Sequence, residues 1–125
     1  MALTTAGVNL ISQTIIGQGT ALDNANAYLG VGNGTAAFDA AQTDLQGDST
    51  IRKGMDAGYP SAIPPVATFR SIFTPEEANF DWQEWAIFNA ATGGTMLNRV
   101  VESNGTKLNN QTWILEVSVT FEIGS

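Results

Sequence analysis

From Thr112 to Ile123 apolar and polar side chains alternate almost without a break, and that pattern constrains the chain more than any other. Trp113, Leu115, Val117, Val119, Phe121 and Ile123 occupy alternate positions. Thr112, Glu116, Ser118, Thr120 and Glu122 fill most of the places between them, with Ile114 the exception. A period of two is that of a β-strand with one face buried and one facing water. Six apolar side chains in register, each contributing ~1.5–3 kcal/mol when buried, would be among the largest favourable contributions in a small domain. They are the predicted core-forming residues, and a slip of one residue would expose all six.

The rest of the chain reads as further strands joined by turns. A short strand is expected over 26–31, running into Gly30, Gly32 and Gly34, where the glycines read as a turn with positive φ. Weak alternation over 51–59 ends at Pro60. The strand 66–74 carries apolar groups on both faces, as a central strand does. Thr74-Pro75-Glu76-Glu77 fits a capping box opening a short turn. Residues 80–89 alternate again and favour a strand over a helix. Gly93-Gly94 reads as a hairpin turn into a strand over 95–103, and Asn104-Gly105 as a type I′ turn. Residues 38–46 suggest one or two helical turns. These segments predict a mainly β, antiparallel sandwich or barrel-like fold with a short N-terminal helix. The last strand is expected inside a sheet, beside the 82–88 and 95–101 strands.

The N-terminal helix is read over 4–16, with Thr4 or Thr5 as cap and Gly17 as stop. It either covers the sheet or forms an interaction arm, presenting Leu3, Leu10, Ile11 and Ile15 to a neighbour. The 125 residues fit a single domain, 1–125, with a helix or arm at 1–17 and a β domain at 26–123. The start has no basic segment and its apolar run is broken by Ser12, Gln13 and Thr14. A signal peptide and a membrane span are therefore not expected, and the chain reads as made and used without secretion.

Charge and composition narrow the function. Hydrophobic residues are 43% of the chain but charged residues only 14%, so the surface is dominated by neutral side chains. A neutral surface desolvates cheaply and suits a protein packed against neighbours. The net charge of −7 argues against direct contact with nucleic acid or anionic membranes. Histidine and cysteine are absent, which removes the commonest base, thiolate and metal ligands. The G-x-G-x-G run lacks the spacing and the lysine of a nucleotide loop. Glu76-Glu77 reads as a helix start rather than a glycosidase pair, and Asp39, Asp44 and Asp48 lack a calcium-loop pattern. Trp82 and Trp85, with Phe80 and Phe88, are read as core aromatics before a sugar-binding groove. No enzyme, cofactor or metal is expected.

Three stretches together carry a resemblance: Tyr28-Leu29-Gly30-Val31-Gly32-Asn33-Gly34, Gln42-Thr43-Asp44-Leu45, and the Trp82–Arg99 segment with its Trp-x-Glu and Gly-Gly-x-Met features. They resemble small structural proteins of tailed bacteriophages, over roughly residues 26–123. The resemblance covers both capsid decoration (cement) proteins and tail-fibre or baseplate modules. It implies a non-enzymatic virion protein, made in the host cytoplasm and located on the outer capsid surface, or alternatively in the tail. Its implied partners are the major capsid protein or other virion proteins. A homo-oligomer is also implied, with a trimer the natural form around a capsid three-fold position. A carbohydrate-binding module using Trp82 and Trp85 is a further alternative. The strand register has its own test: Val117→Asp buries an unpaired charge and should unfold or insolubilise the protein, whereas Glu116→Gln should leave its thermal melt unchanged.

Overall fold

The computed structural model describes residues 1–124. It contains one helix, α1 (Thr5–Ile15), and seven strands: β1 (Tyr28–Gly32), β2 (Thr50–Gly54), β3 (Ser61–Ile63), β4 (Val66–Phe73), β5 (Glu84–Phe88), β6 (Val100–Val101) and β7 (Trp113–Thr120). They form two antiparallel sheets, one ordered β2-β1-β5-β6 and the other β3-β4-β7. The sheets do not close on each other, so the fold is a sandwich rather than a barrel.

The core is the space between the sheets. Leu29 and Val31 of β1 and Trp85 and Ile87 of β5 meet Phe69 and Phe73 of β4 and Val117 of β7. Trp82 joins them edge-on between Phe73 and Trp113, with ring centroids 5.0 Å apart on both sides. Such edge-to-face pairs align ring edge with ring face and add about 0.5–1.5 kcal/mol beyond burial. All five residues of β5 are buried, because its other face is covered too. There Ala86 and Phe88 pack with Leu45 and Met96, beneath the long connection between β1 and β2.

β7 has the predicted start but not the predicted neighbours. It pairs along its whole length with β4, from Val66↔Thr120 to Phe73↔Trp113, and forms the edge of its sheet. The strands expected beside it are already paired, β5 lying between β1 and β6. β4 is the strand that equals β7 in length and faces the same core. Four of the six predicted core residues turn inward: Val117 is buried, and Trp113, Leu115 and Val119 pack against the core partly buried. Phe121 and Ile123 do not. They lie past the end of β7 and are 56% and 95% exposed. The alternation continues there, but no second sheet lies opposite it.

Several local expectations change as well. Residues 38–46 form turns and bends, not a helix, and the strand near 51–59 ends at Gly54. The strand expected over 95–103 shrinks to β6, preceded by two isolated bridges, Phe88 with Met96 and Leu3 with Asn98. At Asn104-Gly105 only the glycine has positive φ, so the turn is not type I′. Gly93 and Gly94 both adopt positive φ, as a tight reversal requires. Thr74 and Glu77 do make the capping-box bond, the Thr74 amide donating to Glu77 Oε1 at 2.8 Å, although only a turn follows.

The α1 segment is a packed helix, not an extended arm. Thr4 caps it by accepting from the Gly7 amide at 2.9 Å. Its own amide donates to Leu97 O at 3.0 Å, and its hydroxyl donates to Met96 O. Gly7 sits so close to the Leu97 backbone that a Cβ would overlap it. At the far end Gly17 and Gln18 donate to the carbonyls of Thr14 and Gln13, and Gly17 takes φ 76°, completing a Schellman cap. Leu10 is consequently buried, and Leu3 and Ile11 pack partly against the core. Because α1 is sealed onto Leu97 backbone, Gly7→Val should lower the melting temperature by several degrees, with unfolding by circular dichroism as the measurement.

Candidate interaction surface

Two places concentrate unusual side chains: a buried polar knot under the β1–β2 connection and an apolar groove beside α1. The knot is built on Glu84, whose side chain is fully buried. Its Oε1 accepts from Arg99 Nε at 2.7 Å and from the Gln46 amide at 2.9 Å. Its Oε2 accepts from the amides of Gly34 and Gly47 at 2.9 and 2.8 Å. Arg99 reaches on to Ala36 O and Gln42 Oε1.

The glycine run of β1 finds its explanation here. Gly30, Gly32 and Gly34 are not in the positive-φ region. A Cβ on Gly32 or Gly34 would overlap the Glu84 carboxylate, and one on Gly30 would come within 2.7 Å of the Phe88 ring. The glycines clear space for a buried ion pair, and the turn expected of them is not what they provide. Burial alone would push the Glu84 carboxyl up. The bonds from Gln46, Arg99, Gly47 and Gly34 outweigh it and hold the carboxyl below its ordinary value. With both oxygens so engaged, the carboxylate is a structural tie and has no lone pair directed at a cleft.

Glu77, Asp44 and Asp39 are also placed structurally. Glu77 is held down to about 2 by Lys53 Nζ, at 2.7 and 2.8 Å from its two oxygens, and by the Thr74 amide. Asp44 bonds the Leu45 amide and Arg52, and Asp39 bonds the Ala41 amide. Among the described residues no group of three or more acids is gathered to hold a metal ion. Trp82 and Trp85 are buried, so neither offers a ring face to a sugar. Lys107 is buried too, donating to Thr74 O and Asn79 Oδ1. Nothing in the pattern of its neighbours signals that burial.

The groove lies where the sandwich opens beside α1. Leu10, Ile11 and Ile15 of the helix form one wall, Val119 and Phe121 the other, and Phe69 and Leu97 the floor, around a volume of about 900 Å³. None of the side chains lining it is charged. On a chain with net charge −7 this is a segregated apolar surface. Ile15 is 77% exposed at its rim, beside Phe121. Of the proposed arm residues, Leu3, Leu10 and Ile11 thus serve the fold and the inner groove, and Ile15 faces outward. Such rimmed apolar surface marks an interaction site more often than an accident of packing. Among the described residues no helix is long and apolar enough to cross a membrane.

Glu84→Gln would point an amide N–H at donors and leave Arg99 buried without its counter-charge; urea unfolding should show a loss of about 3–5 kcal/mol, against almost none for exposed Glu76→Gln. The depressed carboxyls set the acid limit. A lowered folded pKa stabilises above the unfolded value, and that stabilisation disappears as pH falls through the folded one. For Glu77 the window runs from 4.5 down to about 2. Melting temperature should fall across it, and Glu77→Gln should flatten the fall. No protein-family model, curated protein or solved structure matches this chain.

Proposed function

We propose that this chain is a non-enzymatic structural protein of a phage virion, in the first instance a capsid decoration protein that stabilises the head by binding the major capsid protein. The observation that carries the reading is the uncharged apolar groove between α1 and the end of β7. It is a binding surface mounted on a rigid, ion-pair-locked sandwich. The second support is the resemblance of the glycine strand and the Trp82–Arg99 segment to small virion proteins. The third is the low share of charged residues, which makes large contact areas inexpensive to desolvate.

A tail-fibre or baseplate adaptor shares every one of these supports and differs only in where the copies sit. The copy number separates the two. On purified particles the decoration reading predicts a fixed, high ratio to the major capsid protein, measured by quantitative mass spectrometry. A few copies per particle, located at the tail, would overturn it in favour of the adaptor. The groove has its own test. Ile15→Glu places a charge at the rim without touching the core, so binding to particles stripped of this protein should drop at least about tenfold, with an unchanged melting temperature.

A further inference from the structure

The outer edge of β7 is open: among the described residues its backbone bonds all run toward β4 and Pro65. Open edges are normally blunted by lysine, proline, a bulge or a covering loop, because they accept another strand. β7 has none of these. Its single charge, Glu116, lies opposite Arg70 of β4.

We infer that this edge pairs with the same edge of a second copy, antiparallel about a two-fold axis at Val117, making one six-stranded sheet of two three-stranded halves. The sequence of β7 fits that occupant and disfavours the neighbouring register centred on Glu116. In a two-fold antiparallel pair, facing positions must share a side of the sheet, so only registers centred on a residue keep apolar groups together. Centring on Glu116 sets Glu116 against itself, a like-charge pair directly opposite, which is destabilising. Centring on Val117 sets Leu115 opposite Val119, Trp113 opposite Phe121 and Val117 opposite itself on the inner side. On the outer side Ile114 meets Thr120 and Glu116 meets Ser118. Every inner pair is apolar and no carboxylate faces another. Phe121, still 56% exposed within its own sandwich, gains a tryptophan neighbour. The groove next to this end of β7 has no charged side chain, and each Glu116 faces a serine rather than another acid. The trimer implied by the family resemblance would be built differently. This contact is a property of the chain alone and does not depend on its residing in a virion.

Sedimentation equilibrium of the purified full-length chain over a range of concentrations tests it. A monomer–dimer equilibrium is expected. Ser118 and Glu116 both face solvent, and the Ser118 hydroxyl meets only the exposed Thr68 hydroxyl, at 3.2 Å, so substitutions at Ser118 act on the contact and not on the core. Ser118→Glu sets two carboxylates against two and should weaken the dimer about tenfold; Ser118→Lys sets ammonium against carboxylate and should tighten it. Both should melt within a degree or two of the parent at concentrations where all are monomeric. A monomer at every concentration, a trimer, or a dimer that responds to both substitutions alike would overturn the inference. A dimer found on a protein that is scarce on particles would leave the pairing standing and remove the decoration reading.

Discussion

The buried carboxylate of Glu84 is the fixed point on which one whole face of the sandwich depends. A carboxylate taken out of water is tolerated only when its lone pairs are filled. Here one guanidinium and three backbone amides fill them, and the amides belong to Gly34, Gln46 and Gly47. A connection with almost no regular structure is thereby ordered across the sheet. That connection in turn buries Leu45 and Phe88 and lets β5 be enclosed on both faces. The glycines of β1 are the other half of the device. They are defined by what they leave empty, since any side chain at Gly32 or Gly34 would occupy the carboxylate's place.

This tie also separates the molecule into a locked side and an open side. The four-stranded sheet is covered, ion-paired and capped by Arg52, which lies 3.5 Å over the Phe88 ring and bonds the carbonyls of Ala90 and Gly93. The three-stranded sheet ends in an uncovered strand beside an apolar groove. Rigidity on one side holds the geometry of the other, so a partner meeting the groove or the β7 edge meets a surface already ordered. Preorganisation of that kind lowers the entropic cost of association.

The parts legible in the sequence were those set by short-range pattern. The period-two run gave β7 its start and its inward residues, and Thr4 with Gly17 bounded α1 correctly, because caps and alternation act within a few positions. Pairing was not legible. Alternation says which side of a strand is buried but not which strand lies beside it, so the pattern points β7 to the 82–101 segment although β4 is its neighbour. The glycines misled for the same reason. A glycine needed for positive φ and a glycine needed for close approach look alike until Glu84 is seen fifty residues further on. Lys107 belongs with these: a polar residue in a polar stretch, buried by contacts with Thr74 and Asn79.

The mismatch at the end of β7 carries the most functional weight. A strand whose alternation ran only as far as its core would be fully explained by folding. In this chain the apolar face continues through Phe121 and Ile123, past the last residue paired within β7 and past any facing sheet. Folding covers only part of Phe121 and almost none of Ile123, and water is an unfavourable neighbour for both. Leaving them outside makes physical sense if the alternation serves a second contact as well as the first. Phe121 also borders the groove, so core, edge and groove adjoin at this end of β7. In the pairing inferred for β7, a second chain completes that surface, and the open backbone edge beside it sets the direction of its approach.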